Sequence, residues 1–186
     1  MRRMALVVLS AVATISVAQA GDMARSGEWG IQSALSVGSS PVLATTAVGA
    51  KFMVSHAVAV RAEVGFQTVS PAGGGNSVTG YEFGAGFEYH LTSAPGNVSP
   101  YVGLQLGFGG GSTGGGGNTP MRFGANAVFG GEYFFSSNFS AAGEIGIGFN
   151  SLSNQPAPTI QDPNATGSTT TFGTGSAIFI LTWYMN

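Results

Sequence analysis

Tyr81-Glu82-Phe83-Gly84-Ala85-Gly86-Phe87-Glu88-Tyr89-His90-Leu91 alternates without a break: apolar residues at the odd positions, Glu, Gly or His at the even ones. A period of two is the mark of a β-strand with unlike faces. The even face is unusual, because it sets two carboxylates among glycines. Strand-like alternation extends in both directions from this stretch. Upstream it covers Trp29 to Val37, Val48 to Val54 and Val58 to Gln67. Downstream it covers Tyr101 to Phe108, Met121 to Tyr133 and Ser140 to Phe149. A last strand is expected from about Phe172 to Met185, with Ala177, Phe179, Leu181 and Trp183 on its apolar face and Ile178 and Ile180 opposite. The total is about eight strands of about ten residues, the length that crosses a bilayer when tilted.

The connections also alternate. Ser55-His56, Thr92 to Ser99 and Ser136-Ser137 are short, whereas Thr68 to Thr79, Gly109 to Pro120 and Ser151 to Thr171 are longer and rich in Gly, Ser, Thr or Pro. Ser39 to Thr45 is of modest length. Short turns at one end and long loops at the other are characteristic of membrane barrels. A weak repeat keeps the same register: Gly49 to Ser55, Gly86 to Thr92 and Gly130 to Ser136 each run from Gly through a charge and an aromatic to a Ser/Thr turn. Phe52, Tyr89 and Tyr133 from this repeat, with Trp183, fall on the apolar parity near the short turns, where an aromatic girdle is expected.

The charges choose between a soluble and a membrane barrel. Lys51, Arg61, Glu63, Glu82, Glu88, Arg122, Glu132 and Glu144 all lie on the Gly-rich parity, and no strand charge lies on the apolar one. A soluble sandwich would instead show a charged outer face rich in Lys and Glu. A lipid-facing Arg or Lys costs roughly 2–4 kcal/mol at the midplane, so a charge-free face on every strand points to lipid contact. An open sheet edge cannot sit in hydrocarbon, which requires the strands to close. The expectation is a closed, antiparallel, up-and-down transmembrane β-barrel whose lumen holds the eight charges.

At this point the chain resembles the small eight-stranded outer-membrane barrels: the OmpX- and OmpA-type barrel domains and their opacity-protein relatives. The resemblance rests on the overall pattern together with Ala62-Glu63-Val64-Gly65-Phe66, Pro100-Tyr101-Val102-Gly103 and the closing Leu181-Thr182-Trp183-Tyr184-Met185-Asn186. It implies export to a Gram-negative outer membrane, contact with lipid and lipopolysaccharide, assembly by periplasmic chaperones and the barrel assembly machinery, and a monomer. That family usually ends in an aromatic residue; Met185 and Asn186 depart from this, with Trp183 and Tyr184 just before. No peptidoglycan-binding domain follows, so wall tethering is not implied.

The ends and the composition agree with export. Arg2 and Arg3 precede an uncharged run from Met4 to Val17, and Ala18-Gln19-Ala20 offers a cleavage site, which makes residues 1–20 a signal peptide and residues 21–186 one barrel domain. Only 8% of residues are charged, against about 25% in ordinary globular domains. Four basic residues beyond the leader form no patch, which argues against nucleic acid. With no cysteine there is no disulfide and no thiolate metal site.

Catalytic chemistry finds little support in the sequence. His56 and His90 both fall near short turns and read as a turn residue and a residue lining the mouth. Two separated histidines without cysteine do not make a zinc site, and no other cofactor is called for. Gly109 to Pro120 lacks the Lys of a phosphate-binding loop. The lumen charges read first as a plug of paired Glu and Arg/Lys, since eight strands enclose little more than their own side chains. A structural or surface-interaction protein is therefore the first reading. A narrow porin-like channel for water or small solutes is the alternative, and a lipid A-modifying enzyme comes after it. If the charges form a plug, Arg61 should be its centre, with Glu63 and Glu88 as partners, and three cations cannot serve five glutamates one to one.

Overall fold

The computed structural model describes residues 26–37, 46–69, 78–91, 97–113, 121–156, 166–174 and 177–185. The expected leader at 1–20, the connection Ser39–Thr45, Asn186 and the middles of the other long connections lie outside these residues. Nine strand segments follow one another: β1 (Trp29–Val37), β2 (Thr46–Met53), β3 (Val58–Val69), β4 (Val78–His90), β5 (Val98–Thr113), β6 (Met121–Ser136), β7 (Phe139–Pro156), β8 (Thr166–Thr174) and β9 (Ala177–Met185). Each pairs antiparallel with its neighbour from β1 to β6, and β6 pairs with β7. β9 then joins β7 to β1 and closes the ring. The chain forms a closed, antiparallel eight-stranded β-barrel, as the alternation predicts.

The last wall departs from expectation. In place of one strand from Phe172, the chain forms β8 and β9, both paired to β7. Glu144 opposes Ile178 and Ile147 opposes Thr174, so three steps on β7 face four on its partner. That is the count of a β-bulge. β8 begins at Thr166, inside the stretch expected to be a loop, because backbone pairing needs no apolar side chain and threonine suits a strand. For the same reason β5 runs on to Thr113 and β7 to Pro156. The outer connections are thus partly extended hairpins.

The register gives the stagger of the barrel. Followed from Gln32 through Gly49, Glu63, Gly84, Gly107 and Gly124, the row of paired residues reaches β7 at Asn150. Followed the other way, through Thr182, it reaches β7 at Ser140. A ten-residue stagger over eight strands tilts them by about 40°. Such a barrel is narrow enough for side chains from opposite walls to meet.

Which face turns outward is unambiguous. On β9, Ile178, Ile180, Thr182 and Tyr184 are buried, while Phe179, Leu181 and Trp183 are exposed. On β5, Leu104 is 62% exposed and Gln105 only 2%. The outer wall carries Ile31, Val48, Phe66, Phe83, Phe87, Leu106, Phe129 and Ile145 in the open. A soluble monomer rarely exposes more than a few hundred Å² of contiguous apolar surface. The distribution is inside-out, with a polar interior and an apolar exterior.

Candidate functional site: a cross-lumen ion network

The four expected girdle aromatics share the outer face at the end of the short turns. Trp29 packs on Phe52 with ring centroids 4.6 Å apart. Tyr133, Phe135, Phe139 and Trp183 follow one another at 4.9, 5.6 and 5.9 Å. Tyr89 is exposed on the same face. Trp29, Phe135 and Phe139 join the four anticipated rings. Toward the other end stand Phe66, Tyr81, Phe83, Phe108 and Phe123. Tyr81 and Tyr89 are eight residues apart on one tilted strand, which separates the two aromatic levels by roughly 20 Å, near the height of a barrel's apolar band.

Inside, seven of the eight expected charges are buried: Lys51, Arg61, Glu63, Glu82, Glu88, Glu132 and Glu144. Arg122, second residue of β6, is exposed rather than enclosed, because it stands at the rim beside the long connections. Two ion pairs cross the full diameter. Lys51 on β2 reaches Glu132 on β6, four strands away in either direction, at 2.8 Å. Arg61 on β3 reaches Glu144 on β7, also four strands away, through both terminal nitrogens, with Nη2 at 2.8 Å from Oε2. Glu88 lies between them, 2.6 Å from Lys51 and 2.9 Å from Arg61. Lys51 and Arg61 face each other across the β2–β3 ladder, so Glu88 also offsets the repulsion of two like charges.

Neutral donors complete the cluster. The Tyr101 hydroxyl donates to Glu144 at 2.7 Å and the Tyr184 hydroxyl to Glu132 at 2.8 Å. Ser140 also donates to Glu132. Below them, toward the short turns, Met53, Ala59, Phe134 and Tyr184 form a buried apolar floor, with Phe134 and Tyr184 stacked at 5.9 Å. Charged hydrogen bonds thus span the lumen just above this floor.

The glycines of the inner parity make room for these long side chains. A Cβ at Gly86 would sit 2.7 Å from the Arg61 side chain, and one at Gly130 would sit 2.5 Å from the Tyr101 ring. Arg61 therefore lies across Gly86, and Tyr101 lies flat on Gly130. Gly130→Ala is expected to cost about 1–3 kcal/mol, the usual range for overpacking, because a ring held by Glu144 cannot retreat as a flexible chain could. Urea unfolding in detergent measures it. A cost near zero would show that Tyr101 moves freely.

The histidines separate. His56 is exposed on the β2–β3 turn. His90 is buried, with Nδ1 2.7 Å from Ser99 Oγ and Nε2 3.3 Å from Glu88. Serine, imidazole and carboxylate in file would suit acyl transfer. Here Ser99 is 1% exposed and Glu88 is already held by two cations. Glu88, His90 and Glu132 also converge as metal ligands would. Lys51 already sits against both carboxylates, in the place a cation would take.

Backbone trace and closure decide the comparison with solved structures. The fold is that of the small eight-stranded outer-membrane barrels. The chain is similar to the outer membrane protein AlkL, determined by solid-state NMR in DMPC lipid bilayers: TM-score 0.53 and 16% identity, covering 91% of this chain and 94% of that one. It is similar also to the outer membrane protein OprG of Pseudomonas aeruginosa: TM-score 0.51 and 12% identity, covering 88% and 98%. At these identities the likeness is one of fold. No protein-family model and no curated protein sequence matches the chain.

Proposed function

We propose that this chain is a non-enzymatic integral outer-membrane protein of a Gram-negative bacterium, that its lumen is closed to solutes, and that its outward connections carry its role at the cell surface. The carrying observation is the pair of ion bridges from Lys51 and Arg61 to the opposite wall, set above an apolar floor. A wall that exposes Leu104 and Phe83 while burying seven charges belongs in hydrocarbon. On this reading the short turns face the periplasm, and the connections from β1 to β2, β3 to β4, β5 to β6 and β7 to β8 face outward. The wall meets lipid and lipopolysaccharide, periplasmic chaperones and the barrel assembly machinery serve its biogenesis, and the barrel works as a monomer.

One observation favours a narrow channel as the second reading. The inner positions Gly65, Gly84 and Gly107 carry no side chain, so the lumen is filled unevenly. Conduction would then require the ion network to part. Single-channel recording in planar bilayers separates the two. The closed barrel gives no unitary steps under moderate voltage, and steady conductance of the unmodified protein would overturn the plug.

A further inference from the structure

Five carboxylates are buried with only two cations, Lys51 and Arg61, and four of the five, Glu63, Glu88, Glu132 and Glu144, stand around those cations. Three of the four are well served. Glu88 takes both cations, Glu132 takes Lys51 with two hydroxyls, and Glu144 takes both ends of the Arg61 guanidinium with Tyr101. Glu63 is not. It is 6% exposed, and neither of its oxygens makes a hydrogen bond. Its one ion contact is Arg61 Nε at 3.4 Å, which makes no hydrogen bond either. One guanidinium charge is thus shared among three carboxylates.

A second unpartnered acceptor stands beside it. Gln32 is 2% exposed; its Nε2 donates to Thr182 at 3.1 Å, and its Oε1 has no partner. Gln32 and Glu63 flank Gly49 on a single paired row. Glu63 leans over that glycine, where a Cβ would come within 2.8 Å of its Cγ. Three buried, unpartnered oxygens, Glu63 Oε1 and Oε2 and Gln32 Oε1, thus belong to the two residues that flank Gly49 on the inner face. The one other unpartnered oxygen among the described residues, Asn150 Oδ1, is four strands from Glu63. On the far side of Glu63 stands Gly84, without a side chain to compete.

We propose that this position binds a hard cation of the calcium class, held by the Glu63 carboxylate and Gln32 Oε1 with water completing the shell. An uncompensated buried carboxylate is costly, and a cation removes that cost at its source. Carboxylate and amide oxygens, with no nitrogen or sulfur donor, are the ligands such ions prefer. Three protein oxygens are few for an ion that takes six to eight ligands, which places affinity in the weak, ~10⁻⁴–10⁻³ M class of extracellular sites.

The test uses full-length protein refolded without lipopolysaccharide in a zwitterionic detergent, with CaCl₂ added at constant ionic strength. At ten times the dissociation constant, calcium raises the apparent folding constant of the wild type about tenfold. Glu63→Gln abolishes this rise and, in chelator, folds at least as well as the wild type. Absence of a calcium response in the wild type would overturn the proposal, as would an unchanged response in Glu63→Gln. A Glu63→Gln protein that is less stable than the wild type in chelator would also overturn it, by showing that Arg61 alone already compensates the charge.

Discussion

Arg61→Ala destabilises the barrel by about 3–5 kcal/mol, and adding Glu144→Gln recovers more of that loss than adding Glu88→Gln. The magnitude is that of removing one partner from a buried ion pair, where the cost comes from the charge left behind. Arg61 leaves three carboxylates behind, but not equally. Glu88 keeps Lys51 at 2.6 Å and a contact with His90 at 3.3 Å. Glu144 keeps only the Tyr101 hydroxyl at 2.7 Å, having lost both guanidinium bonds. Neutralising Glu144 therefore removes the larger stranded charge. Double-mutant cycles by urea unfolding, followed through the fluorescence of Trp29 and Trp183, give the two coupling energies. Coupling of ~0.5–3 kcal/mol is usual for residues sharing a network. Strict additivity in the Arg61–Glu144 cycle, or stronger coupling to Glu88 than to Glu144, would refute this account of the plug.

That choice of partner marks where the sequence stops being legible. Parity alone sends Glu63, Glu82, Glu88, Glu132 and Glu144 inward, because a period of two needs no knowledge of register. Local hairpin register also sets Arg61 beside Lys51 and near Glu88, because β2, β3 and β4 are consecutive strands joined end to end. Glu144 is different. It arrives from four strands away, at a height fixed by the ten-residue stagger, and the stagger is a property of the closed ring that no single hairpin carries. The bulge in the last wall was hidden for a related reason: only the pairing to β7 reveals the extra residue. Parity turns Tyr101 inward with Gln105, but its bond to Glu144 comes from two strands away; Tyr184 was missed because tyrosine suits a girdle as well as a lumen, and His90 gains Ser99 only when β4 and β5 pair. Arg122 has the inner parity yet is exposed, because parity says which way a side chain points and not how far the filled interior extends.

Leu104→Lys blocks folding into bilayers, whereas Gln105→Lys, one residue along the same strand, is accepted. The substitutions introduce the same charge on the same strand, so propensity and charge balance are nearly equal and only the face differs. Leu104 is 62% exposed between Phe87 and Ala127, midway along the apolar run Val98, Val102, Leu104, Leu106 and Phe108. A lysine there enters hydrocarbon at a cost of roughly 2–4 kcal/mol. It has few ways out, because the nearest aromatic level at Tyr89 and Tyr133 is at the limit of what a side chain can span by snorkelling. Gln105 is 2% exposed and turns inward between Gly86 and Asn126. A cation there enters an interior with more buried carboxylates than buried cations. Folding into phosphatidylcholine vesicles, read as the shift between heated and unheated mobility on gels, should fall sharply for Leu104→Lys and stay near wild type for Gln105→Lys. Equal folding of both variants would mean that the outer wall does not face lipid at this height. Failure of Gln105→Lys alone would mean that the two faces have been assigned the wrong way round.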